Sequence, residues 1–453
     1  MAKPTVTFVC NSCGASFPRW LGRCTSCGAW ESLEEQKKTK ARPASPNGGP
    51  AKPLPLGDVP ADGTDRTPTG IGELDRVLGG GVVRGGVTLV GGEPGIGKST
   101  LLLQALAGLA ARGHKSLYVS GEESASQTAA RAKRLGASSQ DLFVLCETDL
   151  EAVDNAVAEL SPRALVVDSV QMMRAPGIDG AAGTVTQLRE TCARLSARAK
   201  HDGVSTFLVG HVTKDGMLAG PKVLEHMVDT VLWFEGERGH ALRTVRAHKN
   251  RFGSATEVGV FEMTSSGLRE VKNPSALLLA ERPAGASGSI VAATSEGSRP
   301  LLVEVQALVG SSQGSGRRAT SGVDGARLAM ILAVLERKIG LSIGLADVFV
   351  NVAGGIHIDE PALDLPVAIA LASSFRNIPV RADVACFGEV GLAGEVRRVP
   401  RSLGRLTEAA ALGFRRVIAP PGATEDSAAE NSGLKDLDVV FARTVEEAIT
   451  AAL

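Results

Sequence analysis

The chain has 453 residues, 49 basic and 49 acidic side chains, and a composition that is 43% hydrophobic and 22% charged. This length allows about three domains, and the composition is ordinary for a soluble globular protein. A net charge of zero excludes a protein coated in basic patches, so any contact with nucleic acid has to be concentrated in loops or a channel. The first residues lack the apolar segment of a signal peptide, and no run of about 18 apolar residues occurs, which predicts a cytoplasmic protein without a membrane partner.

Four cysteines near the N terminus form two C-x2-C pairs separated by ten residues: Cys10, Cys13, Cys24 and Cys27. The spacing lets both thiolates of a pair face one metal, and four thiolates in tetrahedral geometry suit a structural Zn2+ site. We therefore predict a zinc finger over residues 1–33, with an iron–sulfur cluster or redox-active thiols as the alternatives. Trp20 and Trp30 are expected to cover the metal, or else to stack on a base. Residues 34–60 are rich in Pro, Lys and Gly, which predicts a flexible linker.

The next informative stretch has the pattern of a phosphate-binding loop. Gly92–Ser99 match G-x-x-x-x-G-K-[ST], after an apolar run typical of a buried strand and before apolar residues at helical spacing. A strand, a glycine loop and a helix N terminus surround a phosphate with backbone N–H groups. The predicted ATP-binding residues are Gly92, Glu93, Pro94, Gly95, Ile96, Gly97, Lys98, Ser99 and Thr100. In this pattern Lys98 neutralises the β- and γ-phosphates and Ser99 ligates Mg2+.

Three further strands are predicted at residues 115–120, 163–169 and 204–210, with helical patterns between them. This alternation predicts a parallel sheet covered by helices, and therefore an α/β domain. Asp168 ends one of these strands, where a carboxylate can hold Mg2+ through water.

Hydrolysis of ATP also requires a carboxylate that orients the attacking water. Glu122 and Glu123 follow the strand at residues 115–120, and we assign the catalytic role to Glu122 rather than to Glu123. The alternative is that Ser120 caps a helix and that both glutamates simply lie in its first turn.

A dense cluster of positive charge lies at His248–Gly253, with the sequence HKNRFG. Arg243 and Arg246 precede it, and no acidic residue interrupts residues 243–251. Arginine forks match phosphate oxygens and lysine acts as a point charge, so the cluster predicts a phosphate partner, in ATP or in DNA. The alternative is a solvated β-hairpin tip.

The stretch LDRVLGGGVVRGGVTLVGGEPGIGKST resembles the RecA-type ATPase core. Together with the four-cysteine finger and KNRFG, it makes the chain similar to the RadA/Sms family of bacterial DNA-repair ATPases. The resemblance implies a RecA-like ATPase domain over residues 61–272 and nucleotides bound at the subunit boundaries of a ring. It gives Lys249 and Arg251 the catalytic and DNA-binding roles of the KNRFG motif, without indicating which cation serves which phosphate.

The same resemblance implies that the loops after Asp168 and Gly210 line a DNA channel. Arg174 in the first loop, and Lys214 and Lys222 in the second, are then candidate DNA contacts. His211 either senses the γ-phosphate or is a satisfied histidine at the edge of the core.

Residues 273–453 resemble the α+β proteolytic domain of Lon. Lon-type hydrolysis needs a serine nucleophile and a lysine base, yet no serine occurs in residues 343–372 and no lysine in residues 339–434. We therefore expect a catalytically inactive domain that supports ring assembly and presents a DNA-facing surface. Its candidate phosphate contacts are Arg317 and Arg318, followed by Arg397, Arg398, Arg401 and Arg405.

Taken together, the resemblance implies a helicase-type motor of recombinational repair that uses ATP, Mg2+ and structural Zn2+. Its expected partners are single-stranded and branched DNA, RecA recombinase and further copies of the chain, in a hexameric ring that extends strand exchange by branch migration. Two other classes stay open: an ATP-dependent protease, and a slow ATP-binding scaffold like the KaiC-related proteins.

Overall fold

The computed structural model describes residues 6–10, 16–26, 28–30, 32–37, 55, 65–211, 223–236, 242–283, 285–311, 316–355, 358–424, 434 and 436–453. Backbone contacts divide the chain into two compact units. The first holds the described residues up to Glu235 together with Arg243–Glu270, and the second holds the described residues from Val271 onward and within Gly236–Leu242.

The N-terminal segment forms a small antiparallel sheet in the order β2-β1-β3. Its strands are β1 (Val6–Cys10), β2 (Ser16–Phe17) and β3 (Leu33–Lys37). The buried core contains Cys10, Cys24 and Leu33. Among the described residues of this segment the apolar core is small, and a bound metal would add to its stability.

The described residues from Arg66 to Glu270 are built on a nine-stranded sheet in the order β14-β13-β12-β11-β6-β10-β9-β7-β8. The strands of this unit are β4 (Arg66–Thr67), β5 (Val82–Val83), β6 (Val87–Gly92), β7 (Ser116–Ser120), β8 (Leu142–Cys146), β9 (Ala164–Asp168), β10 (Ser205–Val209), β11 (Thr230–Glu235), β12 (Leu242–Asn250), β13 (Val258–Thr264) and β14 (Gly267–Glu270). The helices are α1 (Gly72–Leu78), α2 (Lys98–Ala110), α3 (Ala125–Arg134), α4 (Leu150–Leu160) and α5 (Val185–Asp202), with a 3-10 turn at Val170–Met172.

The six strands β6 to β11 of this sheet share one direction. The five pairings β8–β7, β7–β9, β9–β10, β10–β6 and β6–β11 are all parallel, whereas β12 returns antiparallel to β11. The predicted parallel α/β sheet is therefore confirmed, and the three strands predicted by residue number are found with ends shifted by at most one residue. Because parallel strands end at the same edge, the residues after β6, β7, β9 and β10 lie together.

Helix α3 corrects one sequence interpretation. Its N-cap is Ser124, which forms a capping box with Gln127, and not Ser120. Glu122 and Glu123 therefore precede the helix rather than lie in its first turn. The Ser120 hydroxyl instead closes the short loop, accepting from Glu123 N–H and donating to Glu123 C=O.

The second unit is an α+β domain around a seven-stranded mixed sheet in the order β17-β18-β16-β15-β19-β22-β23. The strands are β15 (Ser289–Glu296), β16 (Arg299–Gly310), β17 (Arg318–Ser321), β18 (Asp347–Val352), β19 (Val384–Cys386), β20 (Glu389–Val390), β21 (Val396–Arg397), β22 (Arg416–Ala419) and β23 (Asp438–Phe441). The helices are α6 (Pro274–Leu279), α7 (Gly325–Ile339), α8 (Asp364–Arg376), α9 (Ser402–Ala411) and α10 (Val445–Ala452), with a 3-10 turn at Pro361–Leu363. Strands β20 and β21 form a short antiparallel hairpin that turns near Gly394.

Arg405 is not a DNA contact, contrary to the sequence interpretation. Its side chain is 1% exposed and forms an ion pair with Glu360. It also donates to Ala293 C=O at 2.8 Å and lies over the Phe387 ring. A buried guanidinium with these partners serves the core of the domain.

None of the helices in the described part of the chain is both long and apolar enough to cross a membrane.

Candidate functional site

The loop between β6 and α2 has the shape that a phosphate requires. Gly92 and Gly97 have φ values of +149° and +122°, and a side chain at either would collide: its Cβ would lie 2.7 Å from Phe234 O or 2.8 Å from Met263 Cε. Gly95 has φ +78° and open space where its Cβ would be. The first N–H groups of α2 have no acceptor within the helix and can donate to an anion. The loop therefore fits the phosphates of a nucleotide.

Lys98 reaches back across this loop. Its Nζ donates to Gly92 C=O at 2.7 Å and to Glu93 C=O at 2.9 Å, and its side chain is buried. Burial lowers the pKa of Lys98 to about 8, although Asp168 and Glu122 oppose that shift. The ammonium is thus held inside the loop with one donor to spare.

Asp168, at the end of β9, lies beside the start of α2. It is buried, and one carboxylate oxygen, Oδ2, accepts a hydrogen bond from the Tyr118 hydroxyl. The Ser99 side chain lies near the same hydroxyl. Burial raises the pKa of Tyr118, with a further contribution from Asp168, and Ser99 lowers it slightly. The structure therefore brings together Ser99 and Asp168, the two residues assigned to Mg2+.

The two neighbouring glutamates have different surroundings. Glu122 accepts from the Ser169 hydroxyl at 2.6 Å and is 44% exposed, facing the open edge of the sheet. Glu123 turns the other way and forms an ion pair with Arg131 of α3. A carboxylate already engaged by a guanidinium is poorly suited to orient water, so the geometry favours Glu122.

His211 follows β10 and lies next to Glu122. Its Nε2 is 3.3 Å from Glu122 Oε1, but the geometry is not that of a hydrogen bond. Within the described residues, neither ring nitrogen has a hydrogen-bond partner, and the role of γ-phosphate sensor stays a prediction. The His211 C=O accepts from Gln171 Nε2 at 3.1 Å, linking the two loops that follow β9 and β10.

The KNRFG motif begins at the end of β12, and three of its residues anchor the turn. Asn250 donates to Val77 C=O at 3.2 Å and accepts from Phe252 N–H at 2.9 Å. The Phe252 ring lies against Gly86, where a Cβ would approach it to 3.1 Å, and Gly253 packs against Gly79. Sequence reasoning assigned no role to these residues. These three residues fasten the turn between β12 and β13 to the domain, and the phosphate-binding role of its cations stays a prediction.

The two cations of the motif contact the segment before β11. Lys249 Nζ donates to Glu225 C=O at 2.8 Å and to Val228 C=O at 2.7 Å. Arg251 pairs with Asp229 at 3.1 Å while its own side chain stays 56% exposed. Asp229 in turn accepts from Val87 N–H at 3.2 Å. Both cations are therefore tied to the stretch that leads from the predicted second DNA loop into the sheet.

The strand register separates these cations from the phosphate loop of the same chain. Asn250 pairs with Thr230, and Thr230 pairs with Thr88 at the start of β6. The loop begins at the other end of β6, at Gly92, about 13 Å further along a strand that rises about 3.3 Å per residue. Lys249 and Arg251 consequently lie at the edge of the sheet opposite the phosphate loop of their own chain.

The remaining predicted DNA contacts are less closely grouped. Arg174 is exposed after the 3-10 turn, whereas Lys214 and Lys222 lie outside the described residues. Arg317 is paired with Asp347 at 2.7 Å, which offsets its charge. Arg318 is exposed and donates to Gly344 C=O at 3.3 Å.

The predicted zinc site is described in part. Cys10 and Cys24 are buried together, and Gly28, at φ +77°, closes the turn after Cys24. Cys13 and Cys27 lie outside the described residues. Trp20 and Trp30 are 55% and 72% exposed, so the structure does not bury them over the site; Trp30 instead lies under the Arg23 guanidinium. Two buried thiols, one from each C-x2-C pair, fit half of a four-thiolate Zn2+ site.

Three family models match parts of the chain: the AAA domain over residues 50–217, the rubredoxin metal binding domain over residues 8–35, and the subunit ChlI of Mg-chelatase over residues 327–423. Among solved structures, one ATPase domain aligns with 47% of this chain and 94% of its own chain, at a TM-score of 0.41 and 14% identity. A likeness at that score carries no argument about function.

The similarity to curated proteins extends along the whole chain. DNA repair protein RadA of Bacillus subtilis is 48% identical and covers 100% of both chains. RadA of Halalkalibacterium halodurans is 50% identical over 93% of each chain, and RadA of Listeria monocytogenes is 48% identical over 100% of this chain and 99% of its own. With a metal-binding ribbon, an ATPase domain and an α+β C-terminal domain in this order, the chain belongs to the RadA family of DNA repair proteins.

Proposed function

We propose that this protein is a DNA-dependent ATPase that assembles into a ring and moves along single-stranded DNA during recombinational repair. The observation that carries the proposal is the placement of Lys249 and Arg251 at the edge of the sheet opposite the phosphate loop. From there they cannot serve the nucleotide of their own chain. A neighbouring subunit can bring its nucleotide to them, and a ring repeats that junction at every boundary.

The residues at the carboxyl edge of the sheet suit hydrolysis. The glycine loop and Lys98 would hold the phosphates, and Ser99 with Asp168 would hold Mg2+, which when bound neutralises charge on the phosphate oxygens. Glu122 faces the open edge and would orient the attacking water. His211 touches the same carboxylate and directly precedes the predicted second DNA loop, so it is suited to report the state of the nucleotide to that loop.

The link to DNA rests on the segment after that loop. Lys249 holds the carbonyls of Glu225 and Val228, and Arg251 holds Asp229. A movement of either cation toward a neighbour's phosphate must release these contacts. Hydrolysis at one subunit boundary would thereby change the contacts of the DNA-facing loop of the adjacent subunit. Hexameric assembly, branch migration and cooperation with RecA recombinase follow from the family resemblance and are part of the proposal.

The C-terminal domain is proposed to support assembly and not to cleave peptides. The stretch in which a Lon-type nucleophile would lie includes β18 and most of α8 and contains no serine through Ala372. Degradation of casein by the purified protein would contradict this part of the proposal.

Glu122→Gln should lower ATP turnover by about 100-fold or more, because it removes the base that orients water. Nucleotide affinity should remain within a few-fold of wild type, as measured by titration with a fluorescent ATP analogue. Glu123→Gln is the matched control: it weakens the ion pair with Arg131, lowers the free energy of unfolding by about 1 kcal/mol and retains turnover. A result in which Glu123→Gln is the inactive variant would reverse the assignment.

The affinity of the free protein for ATP should fall as pH rises from about 7 to about 9. The pKa of Lys98 is lowered to about 8, so its ammonium is lost in this interval and its attraction for phosphate goes with it. If only the charged form binds, the loss is about ten-fold. Lys98→Arg cannot titrate in this range and should show a flat profile, even if its affinity is lower. A flat profile for the wild-type protein would contradict the lowered pKa.

Single-stranded DNA should stimulate ATP hydrolysis by about ten-fold or more, with a stimulation that weakens as salt rises. Arg251→Ala and Lys249→Ala should both abolish the stimulation, because each removes a cation that is proposed to bind a phosphate, and loss of the Arg251 guanidinium should lower turnover by about 1,000-fold. Both variants should remain folded. Lys200→Ala, an exposed lysine on α5, is the control and should behave as wild type. A hydrolysis rate indifferent to DNA would favour the slow ATP-binding scaffold instead.

A further inference from the structure

Tyr118 is the single tyrosine of the chain. It is buried in the ATPase unit, where its hydroxyl contacts polar side chains. It lies in the middle of β7, and its ring packs in the core cluster that includes Leu102, Leu106 and Val166. Most residues of this cluster are aliphatic, and a phenylalanine ring would occupy the same volume. The hydroxyl therefore needs an explanation other than packing, because a buried hydroxyl lowers stability unless it forms a hydrogen bond.

The hydroxyl joins the two residues assigned to Mg2+. It donates to Asp168 Oδ2, and the Ser99 side chain lies near it in the first turn of α2. With Oδ2 held in this way, the carboxylate has a fixed plane and its second oxygen is directed by that plane. Residues that hold a metal ligand in orientation commonly determine how well the metal binds.

The same hydroxyl also connects to the loop that carries Glu122. Arg131 Nη1 lies 3.4 Å from the phenol oxygen, and Arg131 forms the ion pair with Glu123. The chain of contacts runs from Asp168 through Tyr118 and Arg131 to Glu123, one residue from the proposed catalytic carboxylate. The Tyr118 hydroxyl thus lies between Asp168, which is assigned to Mg2+, and the loop of Glu122, which is assigned to the attacking water.

We propose that Tyr118 is a positioning residue, whose hydroxyl orients the Asp168 carboxylate beside Ser99 so that the Mg2+ accompanying ATP is received. The inference rests on the proposed ATPase function. The inference concerns the affinity of the protein for the metal and not its affinity for the nucleotide. A test of metal affinity can therefore contradict the role of Tyr118 without contradicting the proposed ATPase function.

The direct test is Tyr118→Phe, which removes the hydroxyl and keeps the ring. In this test Mn2+ replaces Mg2+. Electron paramagnetic resonance measures the affinity of Mn2+ for the complex of the protein with a non-hydrolysable ATP analogue. We expect Mn2+ to bind about ten-fold more weakly than in wild type, with nucleotide affinity in EDTA unchanged. Turnover should need a correspondingly higher Mg2+ concentration and should recover toward wild type when Mg2+ is saturating.

Ser205→Ala is the matched control, because it deletes another buried hydroxyl, which donates to Val83 C=O at the opposite edge of the sheet. It should leave Mn2+ affinity unchanged. Equal Mn2+ affinity in Tyr118→Phe and wild type would overturn the inference while leaving the ATPase proposal intact. If the wild-type protein binds no Mn2+ with the nucleotide, the proposed function itself is wrong.

A second measurement needs no substitution that could impair folding. Because the chain has one tyrosine, incorporation of 3-fluorotyrosine yields one fluorine resonance in the full-length protein. We expect this resonance to shift when Mg2+ is added to the nucleotide-bound protein, because the carboxylate that the hydroxyl contacts would gain the metal as a second partner. A resonance that moves on nucleotide binding but not on addition of Mg2+ would contradict the proposal.

Discussion

The rigid sheet of the ATPase unit holds the phosphate loop at one edge and Lys249 with Arg251 at the other. The proposed sharing of a nucleotide between subunits follows from this separation. Hydrogen bonds along β6 and β11 make the distance between the two groups a property of the fold and not of side-chain rotamers. In the proposed ring, a phosphate site and a cation pair that cannot meet within one chain would meet between two chains. The fold would then provide half of a site at each edge of the sheet.

The KNRFG motif divides into anchors and reactive groups. Asn250, Phe252 and Gly253 fasten the turn to α1 and to the start of β6, so the turn itself need not move for its cations to change partners. Arg251 keeps more than half of its side chain exposed while paired with Asp229, and in the proposed ring a neighbour's phosphate would have to outcompete that pair. Asp229 itself is 7% exposed and also accepts from Val87 N–H, so release of the arginine would leave a buried carboxylate, and the phosphate contact would have to offset that cost.

Sequence reasoning located the parts of the site that are encoded locally. The glycine loop, the strands around it and the carboxylate at the end of β9 are recognisable because their spacing reflects the geometry of one strand, turn or helix. The choice between Glu122 and Glu123 depended on Arg131, in the following helix. Tyr118 resembled an ordinary core residue of a strand, because its partner Asp168 is 50 positions away in the chain. Arg405 looked exposed for the same reason: Glu360 and Ala293, which bury and satisfy it, come from distant elements.

The most direct test of the account mixes two inactive variants. Lys98→Ala lacks a working phosphate loop and Arg251→Ala lacks the cation offered to the neighbour, so each alone should hydrolyse almost no ATP. In an equal mixture with exchange of subunits, about one quarter of the boundaries pair an intact loop with an intact arginine, and hydrolysis should recover to about that fraction. A mixture of Lys98→Ala with Glu122→Gln, both defective on the same side of the boundary, should not recover. Absence of recovery in the first mixture, although the two chains co-purify in one assembly, would contradict the claim that the nucleotide is shared between subunits.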